Sequence, residues 1–175
     1  VSKGGAFEDD GYGFTIGFGD GKFRFELQNT SLKEKTMADA LFPKNRAWRH
    51  LAATWEIKTH EIILYIDGDR QQTTAFFNGP IGIGDQHLNL GRNERVGIRY
   101  CNASFSDFRI WNRARTGEEI RAAMKMRLKG DERGLVGYWP FDRNTGTIAR
   151  SGLIAGGTDG FIVNPIWGTT DTLPF

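Results

Sequence analysis

Two-residue alternation limits what this chain can fold into more than any other feature. In Lys22-Phe23-Arg24-Phe25-Glu26-Leu27, three apolar side chains share one face of an extended strand and three charges share the other. Gly19-Asp20-Gly21 lies just before it, with Tyr12 to Phe18 upstream, so the spacing predicts a β-hairpin closed by a glycine turn. The pattern returns over Arg49 to Glu56, where Leu51, Ala53 and Trp55 alternate with His50, Ala52 and Thr54. His60 to Ile66 is nearly continuously apolar, and Asp67-Gly68 turns it into a further strand, Arg70 to Phe77. Between the two hairpins, Ser31 to Arg46 is polar and mixed and reads as an irregular loop ended by Pro43.

Beyond the glycine-rich stretch Gly79 to Gly84, a short strand is expected at Leu88 to Gly91 and a longer one at Cys101 to Trp111. In the latter, Phe105, Asp107, Arg109 and Trp111 share one face, while Ser106, Phe108 and Ile110 share the other. One helix stands out. Thr116-Gly117-Glu118-Glu119 is a capping box, followed by Ile120, Ala123, Met124 and Leu128 at helical spacing, which predicts a helix from near Thr116 to near Met126. Gly134 to Phe141 reads as another strand, and the glycine-rich remainder as loops and short strands. With 23 Gly against 5 Pro and 13 Phe, 5 Trp and 4 Tyr, many short strands and tight turns fit better than long helices. The 175 residues suit one domain spanning 1–175, an all-β fold with one short helix.

Composition also narrows the partners. The formal charge is only +2, from 23 basic and 21 acidic residues, and the densest basic group, Lys125, Arg127, Lys129 and Arg133, is interleaved with apolar residues and acids. A duplex-nucleic-acid binder carries a larger, clustered excess, so nucleic acid is excluded as the expected partner. No stretch reaches the roughly 20 apolar residues of a membrane helix, and no membrane insertion is expected. Cys101 is the single cysteine, which rules out an internal disulfide; inside a strand it reads as a small core residue. Two Asn-x-Ser/Thr triplets occur, Asn29-Thr30-Ser31 and Asn102-Ala103-Ser104.

Several runs, taken in order, carry a resemblance. Trp48 to Trp55 followed by Leu64-Tyr65-Ile66-Asp67-Gly68 resembles the central hairpin of laminin-G-like jelly rolls of the concanavalin-A-like kind. Phe105 to Thr116 is similar to their penultimate segment, an acid-containing strand leading into a short helix. Gly134 to Asp142 and Asp159-Gly160 are similar to the strand that flanks such modules in series. The resemblance implies a two-sheet antiparallel jelly-roll sandwich, a role in binding or adhesion, and an extracellular or cell-surface setting. Members usually carry strands ahead of the equivalent of Ser2-Lys3-Gly4-Gly5, so the expectation is a module lacking its first strands and belonging to a longer chain or assembly.

No enzyme site is expected. Related glucanases need carboxylates two residues apart on one strand, whereas Glu8-Asp9-Asp10, Glu118-Glu119 and Asp131-Glu132 are adjacent and would point to opposite strand faces. Asp107 is the candidate metal ligand: in related folds an acid here can hold a structural Ca²⁺ with neighbouring carbonyls. The competing reading pairs it with an arginine such as Arg109. Trp111, beside Asn112 and Arg113, is the candidate ligand-stacking residue, against a packing role at the sheet edge. The expected function is thus a non-catalytic module binding a glycan or a protein, the alternative being a purely structural or assembly module.

Overall fold

The computed structural model describes residues 2–3, 13–29, 34–45, 47–81, 87–93, 99–143 and 145–168. The chain divides into two compact units, Val1–Ala103 and Ser104–Phe175.

The first unit contains β1 (Ser2–Lys3), β2 (Gly13–Gly19), β3 (Lys22–Asn29), β4 (Glu34–Leu41), β5 (Leu51–Trp55), β6 (Glu61–Ile66), β7 (Asp69–Phe76), β8 (Leu88–Asn89), β9 (Arg92–Asn93) and β10 (Arg99–Tyr100). A five-stranded sheet runs in the order β4-β3-β2-β1-β8, a three-stranded sheet in the order β5-β6-β7, and β9 pairs with β10. Every pairing is antiparallel. One core joins the two larger sheets: Phe23, Phe25, Leu27, Ala38 and Ala40 from the first, Ile62, Leu64 and Ile66 from the second, with Phe77. Strands β3 and β5 are those the alternation predicts, and the packing of the two larger sheets is the antiparallel all-β sandwich that the resemblance implies.

Both predicted hairpins form where aspartate and glycine can take left-handed backbone. Asp20 and Gly21 (φ 52° and 72°) join β2 to β3, and Asp67 and Gly68 (φ 54° and 80°) join β6 to β7. The Asp67 carboxylate also reaches the start of β5, accepting from Arg49 Nη1 at 2.5 Å and the His50 amide at 3.0 Å. The turn therefore fixes both of its own strands and the strand beside them.

The segment expected to be a loop, 31–46, instead contains β4. Its inward residues are small, so the signal is faint: Ala40 stands opposite Phe23, Ala38 opposite Phe25, and Thr36 opposite Leu27. Bulky side chains on β3 fill the space over β4, and Met37 and Leu41 point outward at 44% and 79% exposure. Charges on the other face agree with that register, with Lys22 Nζ 3.0 Å from Asp39 and Lys35 Nζ 3.4 Å from Glu26.

The second unit contains β11 (Phe108–Trp111), α1 (Gly117–Ala123), β12 (Leu135–Trp139), β13 (Ile148–Ala149) and β14 (Gly160–Phe161). β11 pairs with β12, and β13 with β14, both antiparallel. The strand expected from Cys101 is shorter than the pattern suggests. Asp107 has φ 56°, which breaks the extended backbone, and the strand begins only at Phe108. Cys101 is exposed, not a core residue. The helix is also shorter than expected, but its cap is the predicted one: Thr116 Oγ1 accepts from the Glu119 amide at 3.2 Å, and Glu119 Oε2 accepts from the Thr116 amide at 3.0 Å.

Glu119 is held by more than the cap. Arg113 donates to both of its oxygens, at 3.0 and 2.6 Å. That pair, then the Thr116 amide, lowers its carboxyl from 4.5 to about 2.

Two predictions follow from these arrangements. Ala38→Leu should lower the unfolding free energy by roughly 1–3 kcal/mol through overpacking against Phe25, whereas Met37→Leu on the outer face should change it by less than about 0.5 kcal/mol; urea denaturation measures both. For Glu119, the folded form holds the carboxyl below its unfolded value, so its stabilisation is complete above pH 4.5 and is lost as pH falls toward 2. A Glu119→Gln variant should therefore show a flatter fall of melting temperature across that window than the parent chain.

Candidate functional site

The centre of the second unit is Arg109. Its guanidinium sits on β11 with a side-chain exposure of 10%, and every nitrogen has a partner. Nε and Nη2 donate to the two oxygens of Asp107, the second at 2.8 Å. Nη1 donates to the Ala123 carbonyl at 2.9 Å and Nη2 also to that of Met126 at 2.5 Å. A planar guanidinium fits this because its donors form a fixed fork matching a carboxylate. The carbonyls come from the last residue of α1 and from the turn just after it, where the Ala123 oxygen also accepts the Met126 amide at 3.0 Å. Beside this pair lies the buried Tyr138, whose ring centroid is 6.0 Å from the guanidinium carbon. Burial first, and then the Asp107 charge, push its phenol above the ordinary range.

Asp107 thus stands just outside the strand, at the left-handed turn that precedes it, with both oxygens on Arg109. A calcium ion at this carboxylate would have to displace the guanidinium. Among the described residues, no group of three His, Cys, Asp or Glu side chains converges on a metal-sized site.

Trp111 is half-buried at the end of β11. The Arg115 guanidinium lies 4.1 Å from its ring centroid, a cation–π contact that occupies one face of the indole. Burial lowers the Arg115 pKa even though Glu119 opposes the shift. Asp107 and Trp111 therefore have different neighbours: one is tied to the helix end by Arg109, the other to the helix start through Arg115.

A third cluster escapes the sequence reading. On the β13–β14 ribbon, Ile148 stands opposite Phe161 and Ala149 opposite Gly160. Directly opposed residues on an antiparallel pair share a face, so Ile148 and Phe161 lie side by side, at 37% and 90% exposure. Ala149, one residue on, is buried on the opposite face. The next residues out form an ion pair, with Arg150 Nη1 2.5 Å from Asp159 Oδ2. Asp159 Oδ1 accepts from the Ser151 amide at 2.8 Å, and that bond, then Arg150, lowers its carboxyl. The ribbon is fastened by Trp139 Nε1, which donates to the Thr158 carbonyl at 3.1 Å, and by Ile162 N donating to Thr147 O at 2.9 Å. The chemistry presented outward is an aromatic ring and an aliphatic side chain next to a charged donor–acceptor pair. Mirrored triplets, Ile148-Ala149-Arg150 and Asp159-Gly160-Phe161, are the sequence signal that could have found it.

Comparison with known proteins fits this architecture. A solved structure of a candidate carbohydrate-binding protein from Bacteroides ovatus ATCC 8483 superposes with a TM-score of 0.53 at 20% identity, covering 82% of this chain and 43% of that one. The likeness establishes a shared fold, and the chain spans less than half the length of that protein. No curated protein matches. The family model described as the concanavalin A-like lectin/glucanases superfamily matches residues 1–121, from β1 through the capped first turns of α1. With most of its 175 residues inside that match and an antiparallel sandwich to go with it, the chain belongs to the concanavalin A-like lectin/glucanase superfamily.

Proposed function

We propose that this chain is a non-catalytic binding module that takes carbohydrate on the β13–β14 ribbon. The observation that carries the reading is Phe161, presented at 90% exposure beside Ile148 and the Arg150–Asp159 pair. A pyranose has one face made of C–H groups, which stacks on an aromatic ring, and a rim of hydroxyls that both donate and accept. Arg150 and Asp159 supply the matching charged donors and acceptors. The carbohydrate-binding description of the Bacteroides ovatus structure supports the same ligand class. Trp111, with one ring face taken by Arg115, is the second aromatic proposed to contact ligand.

The non-catalytic part rests on how the carboxylates are used. Glycoside hydrolysis needs two cooperating carboxyl groups, one with a raised pKa to act as acid. Here Asp142 is lowered by Arg127, and Glu132 is lowered by the Lys129 and Gly130 amides despite the opposing effect of burial. Asp107 is engaged by Arg109 and Asp67 by Arg49 and the His50 amide.

One observation favours a protein ligand instead. Val163 and Ile166, just past the ribbon, are 78% and 99% exposed and extend the apolar surface beyond what one sugar ring covers. A glycan array followed by calorimetry on the hits separates the readings. The expected result is carbohydrate binding that Phe161→Ala weakens at least tenfold, about 1.4 kcal/mol, with the thermal melt unchanged. No binding to any glycan, together with a stable complex in pull-down, would move the assignment to the assembly module.

The calcium expectation has its own test. With Arg109 on both oxygens of Asp107, the melting temperature is expected to be the same in EDTA and in calcium. A bound ion would instead stabilise by about 2.7 kcal/mol at a hundredfold excess over Kd, and Asp107→Asn would remove that gain.

A further inference from the structure

We infer that, of the two Asn-x-Ser/Thr triplets in this chain, Asn102-Ala103-Ser104 is a competent N-glycan acceptor and Asn29-Thr30-Ser31 is not. The inference is independent of the ligand reading above. Sequence makes the two triplets equivalent, since both have the required hydroxyl two residues on. Structure separates them. Asn29 ends β3, is 5% exposed, and pairs across the ladder with Glu34. Its Nδ2 donates to the Pro80 carbonyl at 2.6 Å. A sugar on that nitrogen would replace one of its two hydrogens and place a bulky, strongly hydrated group inside a packed strand end. The folded chain has no room for it.

Asn102 has the opposite surroundings. It lies between β10 and β11, in a stretch with no regular element, and Asn102, Ala103 and Ser104 are all exposed. The residues on either side, Cys101 and Phe105, are exposed as well. A transferase can therefore draw this segment into its own site without unfolding a strand, as glycan acceptors in surface loops require. In the transfer, Asn102 Nδ2 bonds to the anomeric carbon of an oligosaccharide carried on a lipid diphosphate. The bond from that carbon to the diphosphate oxygen breaks, one amide proton leaves to a base of the transferase, and the lipid diphosphate departs. The product is an N-linked glycan with the amide carbonyl intact.

The test is to secrete the full 175-residue chain from a eukaryotic cell line behind a cleavable signal, reading both secreted and intracellular protein. The expected result is a single mobility shift that peptide N-glycosidase removes, lost in both Asn102→Gln and Ser104→Ala. Ser31→Ala, which destroys the other triplet without touching the Asn29 amide, should leave the shift unchanged. Unmodified parent chain in both fractions would overturn the inference. So would a glycosidase-sensitive shift that survives Asn102→Gln in the secreted protein.

Discussion

The inward face of β3 is the constraint on which the first unit depends. Phe23 and Leu27 are fully buried there, with Phe25 between them, and they meet the fully buried Ile62 and Leu64 of the other sheet. Burying each such side chain contributes roughly 1.5–3 kcal/mol, so the loss of two or three would be comparable with the whole stability of an ordinary domain, about 5–15 kcal/mol. A strand repeats every two residues, so a slip of one position would turn all three outward and bring Lys22, Arg24 and Glu26 in. The neighbours on either side are fixed by different means. The Asp20-Gly21 turn sets β2, while β4 is set by the fit of Ala38 and Ala40 under phenylalanines. The outer ion pairs agree with that register but, being partly exposed, add little energy of their own.

In the second unit the same organising role falls to a polar group. Arg109 joins Asp107, the strand it belongs to, and the carbonyls at the end of α1. Removing one partner of such a buried pair leaves the other charged and unpaired, which costs far more than the pair contributes net. Asp107 makes this bond from a left-handed backbone conformation, which aspartate is one of the few residues to tolerate. The strand boundary and the helix end therefore meet on one side chain, Arg109.

What could be read in the sequence was whatever is encoded within a few consecutive residues. Asp67-Gly68 specified its turn, and Thr116 with Glu119 specified both halves of the helix cap. Phe23, Phe25 and Leu27 marked a buried strand face, and they are buried. Features that depend on a distant partner were missed. β4 looks like a loop because its inward residues are alanines, whose size makes sense only beneath the phenylalanines of β3. The pattern over Cys101 to Trp111 reads as one strand because side-chain alternation is blind to a single left-handed residue at Asp107. Phe161 looked like part of a glycine-rich tail, since a two-residue strand gains meaning only from Ile148, thirteen positions earlier.

Membership of a superfamily whose fold serves both lectins and glucanases leaves function to be argued from the surface. Two-stranded ribbons are marginal by themselves, yet this one is fastened at several points, by Trp139 to Thr158, by Ile162 to Thr147 and by Asp159 to the Ser151 amide. Those bonds keep Phe161 and Ile148 level with the Arg150–Asp159 pair before any ligand arrives. Association always carries a cost for ordering side chains and loops, and a surface already ordered avoids most of it. A single exposed aromatic on a loose tail would gain little from stacking on a sugar, because fixing the tail would consume the gain. Fixed on the ribbon, the same ring can spend its stacking energy on the ligand, which is why the bonds behind Phe161 matter to the proposed function as much as the ring itself.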